Sequence, residues 1–432
     1  MKNLSKDSAL VIYYYKNNIY SFNALVAALE TDNYFDDFKI YFIAKKEELI
    51  YGLEDIIEKH KLTIVGVSIF TSQLWEIYNL ISILKKKYRE TLVYIAGGPH
   101  ATGDPLGVLK LGFDFVVVGE GEETVRELFK KVIVGSDYEN VKGIAFFNDS
   151  NEYIFTGKRD LIDLDDYPPF PVKNRRFGAI EITRGCPYVC YFCQTPYISG
   201  VKPRHRSIES ICKFVQILYN YYGDFTDIRF ITPNAFSYGS LDGKELNLIK
   251  LENLLKKVRE IIGKKGRLFL GTFPSEVRPE HVTNKTLGLV KKYADNDNIT
   301  IGAQSGSQKI LDLCHRDHTV KDIYNAVGLT LENKLKINID FIFGLPGENE
   351  DDAKLTISMM KELSNKGARV HAHTFMPLPQ TPFANATVKK VKESYKNELM
   401  KLISKGNAFG DWQKQEKLAI KIAKYMKTMK LG

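Results

Sequence analysis

Cysteine is scarce in this 432-residue chain: there are five, and three of them fall within eight residues. An odd count clustered in this way argues against a disulfide framework and for metal binding in a reducing compartment. Long hydrophobic runs are also missing. No stretch approaches the roughly 20 apolar residues of a membrane span, so no membrane partner is expected. Met1 to Asp7 carry no apolar core of a secretory signal, which predicts a cytoplasmic location. There is no internal repeat and no low-complexity segment. Charge of one sign is not in large excess, since 61 basic against 52 acidic residues leave +9. Lysine runs such as Lys85-Lys86-Lys87 read as solvated edges, which makes nucleic acid an unexpected partner.

What is present fits an α/β chain of two domains and a tail. Residues 1–150 alternate apolar strand runs, at 10–14, 64–70, 92–96 and 113–118, with helical patterns such as 22–29 and 74–87. Continuous runs mean strands buried on both faces, and this order predicts a doubly wound parallel sheet. Ligands of such sheets sit at the carboxyl ends of the strands. Three small-residue turns lie there, which makes Ser68, Thr71, Gly97, Gly98, Pro99, His100, Gly119 and Glu120 candidate binding residues. Residues 151–178, rich in proline and acid, read as a linker. Residues 179–388 carry six further strand runs spaced by helices, the pattern of an open six-unit (β/α) barrel. Residues 389–432 read as a basic helical tail, broken at Gly406 to Gly410.

The cysteines Cys186, Cys190 and Cys193 directly follow the first strand of this second unit, in the spacing CxxxCxxC. Three thiolates on one short loop can hold three irons of a cubane cluster and leave the fourth iron open. Structural zinc normally takes four ligands, and no second CxxC is present. Cys212 and Cys314 are isolated and read as inert thiols.

With the aromatic Phe192 before the third cysteine, this motif resembles that of radical S-adenosylmethionine (SAM) enzymes. The resemblance implies a 4Fe–4S cluster on Cys186, Cys190 and Cys193, with SAM chelated by the open iron and cleaved reductively by an electron from an external donor. It extends along the barrel. Gly344 and Leu345 match the fifth-strand motif whose backbone faces the adenine, and Gln304 and Ser305 the fourth-strand turn. Ser275 and Arg278 lie where polar contacts to the cofactor carboxylate are placed. Asn234 stands where many members carry a Gly-Gly-Glu, a departure from the pattern.

The first domain resembles the cobalamin-binding domain that precedes one radical SAM subfamily, on the strength of residues 97–102 and 114–124. No Asp-x-His-x-x-Gly motif occurs, so the resemblance implies cobalamin with its base detached and no histidine below cobalt. Together the two resemblances imply a cobalamin-dependent radical SAM methyltransferase acting on an unactivated sp3 carbon. The overall pattern is similar to methanogen proteins that include the glutamine C-methyltransferase of methyl-coenzyme M reductase. This implies a protein or peptide substrate, with residues 406–412 in a tail that could cover it or simply pack on the barrel. A rearrangement or cyclisation, or methylation of a small molecule, is the alternative. The methylthiotransferases of transfer RNA bind another cluster through N-terminal cysteines, and none precedes Cys186.

Overall fold

A computed structural model describes residues 4–88 and 91–428. The chain divides into two compact units at 178/179. The first holds seven strands: β1 (Ser8–Tyr13), β2 (Lys39–Ile43), β3 (Leu62–Ser68), β4 (Leu92–Gly97), β5 (Phe115–Val117), β6 (Ile144–Phe147) and β7 (Tyr153–Phe155). Their order in the sheet is 2-1-3-4-5-6-7. The first five are parallel, and β6 and β7 add an antiparallel edge.

All six positions of β1 are buried. Its alternate side chains enter two apolar layers, Val11 with Val65 and Tyr94 on one face, Leu10 and Ile12 with Ile64 and Ile95 on the other. That double coverage is why the strands read as unbroken apolar runs. Between β1 and β3 the strand order reverses, and ligands of open α/β sheets bind outside the carboxyl ends at such a point. The edge strand β2 has no fully buried position, but its apolar run Ile40 to Ile43 packs partly buried against the two apolar layers.

Residues 151–178 are not a free linker. They contribute β7, and Arg159 pairs with Glu127. The backbone N–H groups of Lys173 and Asn174 donate to Glu30 at 2.9 and 2.8 Å. Proline and acid marked irregular backbone correctly, but side-chain and main-chain bonds fix it to the first unit.

The second unit begins with β8 (Ile180–Glu181) and a ribbon of β9 (Thr183–Arg184) with β10 (Arg204–His205). Then follow β11 (Asp227–Ile231), β12 (Arg267–Phe269), β13 (Asn298–Gln304), β14 (Lys336–Phe343), β15 (Ala368–Thr374) and β16 (Ala408–Phe409). Apart from the ribbon, neighbours are parallel and stand in chain order. Between β12 and β13, Thr300 N–H donates to Gly271 O at 2.8 Å. From β10 onward each strand is followed by a helix, and Thr283, Thr319 and Asn349 cap three of them through capping boxes. On β14, Ile337, Ile339, Phe341 and Phe343 are buried to within 1%, while Asn338, Asp340 and Ile342 occupy the opposite face.

The stretch read as a basic helical tail joins this sheet. Ala408 and Phe409 pair with Val370 and His371. The carbonyl of the buried Trp412 accepts from Thr374 Oγ1 at 2.8 Å. Residues 406–412 therefore pack on the barrel, the plainer of the two roles open to them. The glycine and aromatic residues serve a close approach. Gly410 has φ +128, and a Cβ there would stand 2.3 Å from Ala372 O.

Candidate active site

The cysteine loop leaves β9 through Gly185, whose φ is +93 and whose Cβ would meet Lys202 O at 2.3 Å. Cys186 N–H donates to Gly200 O at 3.0 Å. Val189 takes a left-handed φ of 47, costing about 1 kcal/mol for a non-glycine residue, and the surroundings hold it there. Tyr191 N–H donates to Cys314 O at 3.1 Å. His315 Nδ1 lies 2.9 Å from Tyr188 O, and the Arg278 guanidinium sits 3.3 Å over the Tyr188 ring. Burial pushes the Cys186 thiol up to about 11, and the neighbouring Cys193 and Cys190 thiols add to the shift. Burial likewise raises Cys193. Thiols held neutral in this way become thiolates when iron replaces their protons. The three side chains fit a cluster. Cys314 is buried in an apolar group with Ile310, Leu345 and Phe375, and it supports the loop through its backbone. Phe192 packs against that same group.

The residues expected around the cofactor divide. Ser275 is buried, and its Oγ has no hydrogen-bond partner, which fits a contact awaiting a ligand. Gln304 is buried with φ +73, at the bulge of β13. Others are committed elsewhere. Asn234 Nδ2 contacts His281 Nδ1 at 2.6 Å, and its Oδ1 accepts from Arg278 N–H at 3.4 Å. Arg278 also bonds Glu280 and Arg316 O, so its charge is used in holding the cysteine loop. Ser305 Oγ accepts from Ser307 N–H at 3.1 Å and faces Thr356 Oγ1 at 3.3 Å. Gly344 N–H donates to Glu348 Oε2 at 2.6 Å, and Leu345 is an apolar core residue.

Arg316 was not singled out from the sequence. It is buried, donates Nη2–H to Gly302 O at 2.7 Å and Nη1–H to Cys190 Sγ at 3.4 Å. Its Nε has no partner, so a further anionic group would be satisfied there. Beyond it lies a polar set on the strand face opposite the apolar one. Glu276 hydrogen-bonds Asp340, and burial pushes it up to about 8. Asp340 Oδ1 stands 3.0 Å from His371 Nδ1, which stands 3.1 Å from His373 Nε2. The available signal was polar residues at period two, Asn338 and Asp340, then His371 and His373, within otherwise apolar strands.

In the first unit the turns after β3, β4 and β5 are tied together. Ile69 N–H donates to Gly97 O at 2.8 Å, His100 N–H to Ile69 O at 2.9 Å, and Gly119 N–H to Thr102 Oγ1 at 3.1 Å. Gly98 (φ +92) would place a Cβ 2.8 Å from Ile69 N, whereas a Cβ on Gly119 (φ +88) meets nothing within 4 Å. Ser68 Oγ is buried without a hydrogen-bond partner. A glycine cradle with an orphaned hydroxyl fits a bulky ligand approaching the backbone. Pro99 opens the short helix Pro99–Gly103, giving it a turn role. His100 is fully buried, its Nδ1 3.0 Å from Thr71 Oγ1, so both side chains pack inside the unit. Glu120 accepts from Ile162 N–H at 3.0 Å and holds the 151–178 segment. His100, Thr71 and Glu120 thus shape the turns from within.

Two family models match the chain: the radical SAM superfamily over residues 180–360 and the B12-binding domain over 22–129. Among curated proteins, an uncharacterised protein of Methanocaldococcus jannaschii is 28% identical, over 77% of this chain and 72% of its own length. An uncharacterised methyltransferase of Pyrococcus horikoshii is 25% identical, over 73% of this chain and 68% of its own length. Among solved structures, the radical SAM methyltransferase TsrM of Kitasatospora setae, with cobalamin and a [4Fe-4S] cluster bound, superposes with a TM-score of 0.67. It is 15% identical, and the match covers 88% of this chain and 74% of that one. At that identity the likeness concerns the fold.

Proposed function

We propose that this chain, a B12-binding domain followed by a radical SAM domain, methylates an unactivated sp3 carbon, with a glutamine α-carbon of methyl-coenzyme M reductase as the favoured target. The broader assignment is plain: it is a radical SAM enzyme of the methyltransferase kind, whose cofactors are a 4Fe–4S cluster, SAM and cobalamin. Bound together, these supply a 5′-deoxyadenosyl radical and a transferable methyl group. Cys186, Cys190 and Cys193 would hold the cluster. Arg316, beside Cys190, and the orphaned Ser275 hydroxyl would orient the anionic end of SAM. The turns at Gly97, Gly98 and Gly119 would receive the corrin.

The observation that carries the reading is the pairing, in one chain, of a three-cysteine loop with a glycine cradle at the carboxyl ends of β4 and β5 of a parallel sheet. A radical generator and a methyl carrier in one chain suit a carbon with no lone pair, which polar methyl transfer cannot reach. The test is anaerobic reconstitution with cluster, cobalamin, SAM and a reductant, followed by mass spectrometry of a peptide carrying the glutamine. The peptide should gain one methyl group on carbon, with deoxyadenosine and S-adenosylhomocysteine formed in equal amounts. A deuterium label at that carbon should appear in deoxyadenosine. A methyl group on nitrogen or oxygen would refute the mechanism; methylation of another carbon substrate would refute only the target.

A further inference from the structure

The sulfurs of the cysteine loop have unlike neighbours. Cys186 Sγ meets the backbone N–H of Tyr188, and Cys193 Sγ lies 3.3 Å from the Thr195 hydroxyl. Cys190 Sγ meets a full charge: the Arg316 guanidinium, whose Nη1–H is directed at it from 3.4 Å. An arginine stays protonated in a protein, so this neighbour is both a donor and a cation at any working pH.

Several bonds keep the guanidinium in place. Cys314 O accepts from Tyr191 N–H at 3.1 Å, and His315 Nδ1 lies 2.9 Å from Tyr188 O. With Arg316 on Cys190, consecutive residues 314–316 therefore grip the cysteine loop one after another. Nη2–H is anchored on Gly302 O at 2.7 Å, and the guanidinium lies 5.9 Å from the centre of the Phe192 ring. The residues on either side, His315 and Asp317, take left-handed φ of 56 and 61, at about 1 kcal/mol or more each for side chains with a Cβ. The local backbone is held in a costly shape that aims the side chain between them.

Other cations near the loop are compensated. Arg278 pairs with Glu280, and the half-exposed Lys244 pairs with Asp317 at 2.8 Å. Arg316 is buried, faces a sulfur and a carbonyl oxygen, and keeps its Nε without a partner. Burial leaves its charge poorly screened. A cluster on these thiolates is anionic, and reduction adds one more negative charge. A buried cation bonded to one of its sulfurs stabilises the reduced form more than the oxidised form, which raises the reduction potential.

We propose that Arg316 sets the reduction potential of the cluster through Cys190 Sγ and so eases its one-electron reduction by an external donor. The proposal rests on the reading that Cys186, Cys190 and Cys193 hold that cluster. Arg316 acts through Cys190, as a positioning residue, and this role needs no SAM. The electron passes from the reductant, which is oxidised, to the cluster, and no covalent bond forms or breaks in that step.

The test uses full-length wild type, Arg316→Gln, Arg316→Lys and Lys244→Gln, each loaded with cluster and cobalamin and kept free of SAM. Each is titrated with dithionite and redox mediators. The signal of the reduced cluster is read by low-temperature electron paramagnetic resonance, apart from that of cob(II)alamin. Glutamine keeps an N–H near Cys190 and removes the charge. At the wild-type midpoint, Arg316→Gln should show a reduced-to-oxidised ratio about tenfold lower, a midpoint about 59 mV more negative for one electron. Arg316→Lys keeps the cation and should stay close to wild type, and Lys244→Gln should not move. An unchanged midpoint in Arg316→Gln, with its cluster signal intact, overturns the inference alone. So does a fall in Arg316→Lys equal to that in Arg316→Gln, since charge would then not be the cause. If iron analysis finds no cluster in Arg316→Gln, the residue builds the site instead of tuning it, and the inference is again overturned. A wild-type cluster signal that survives in Cys190→Ala overturns the cysteine reading, and the inference with it.

Discussion

His100 shows how burial sets chemistry at the scale of one residue. It is fully enclosed in the first unit, and desolvation holds its pKa down to about 4. A depressed folded value means stability that is present above the unfolded value of 6.5 and lost as pH falls from 6.5 towards 4. The loss is at most on the order of 3 kcal/mol for this group. Thermal melts at pH 7 and pH 4.5 should differ less in His100→Gln than in the wild type. Cysteines divide by the same physics. Cys190→Ala should abolish the cluster absorption near the visible range and all deoxyadenosine formation. Cys314→Ala should keep both, because that thiol, raised to about 12 by burial, supports the loop through its carbonyl. Cluster content by iron analysis decides between them.

At the scale of elements, two glycines that look alike in the sequence have different tasks. Gly98 is required by its own unit, since a Cβ would meet Ser68 Oγ at 2.7 Å and Ile69 N at 2.8 Å. Gly98→Ala should therefore destabilise the first unit by about 1–3 kcal/mol, whatever it does to a ligand. Gly119 meets no atom within 4 Å, so Gly119→Leu should fold at a cost of about 1–2 kcal/mol for its left-handed backbone yet retain less cobalamin. Absorbance after gel filtration with added cobalamin reads this directly. Retention equal to wild type would remove Gly119 from the corrin site. The strand β16 makes a similar point. Deleting residues 406–432 should lower the melting temperature, because it exposes the edge of β15 and removes the buried Trp412.

At the scale of the molecule, two α/β units in series explain why one chain can present three cofactors. Among the described residues no helix is long and apolar enough to cross a membrane. Parallel strands were legible because burial on both faces leaves continuous apolar runs: β1, β3 and β4 lie within a residue or two of where those runs stand. The candidate cluster motif was legible because its three cysteines sit on one short loop, where spacing alone constrains geometry. The edge strand β2 was missed although Ile40 to Ile43 form an apolar run, and β16, two residues long, is too short to carry a period.

Local sequence thus determined the fold class, the order of the two units and the grouping of three cysteines on one loop, all of which depend on neighbours in the chain. Only the tertiary structure decided which polar side chains are satisfied within their own unit. Ser275 and Arg316 keep unpartnered atoms, while Asn234, Ser305, Glu120 and His100 spend theirs on their own unit. It also brought Asp340, His371, His373 and Gln415 together from β14, β15 and the helix Trp412–Thr428. A side chain's free lone pairs depend on which distant groups have already claimed them, and that accounting exists only once the strands have paired.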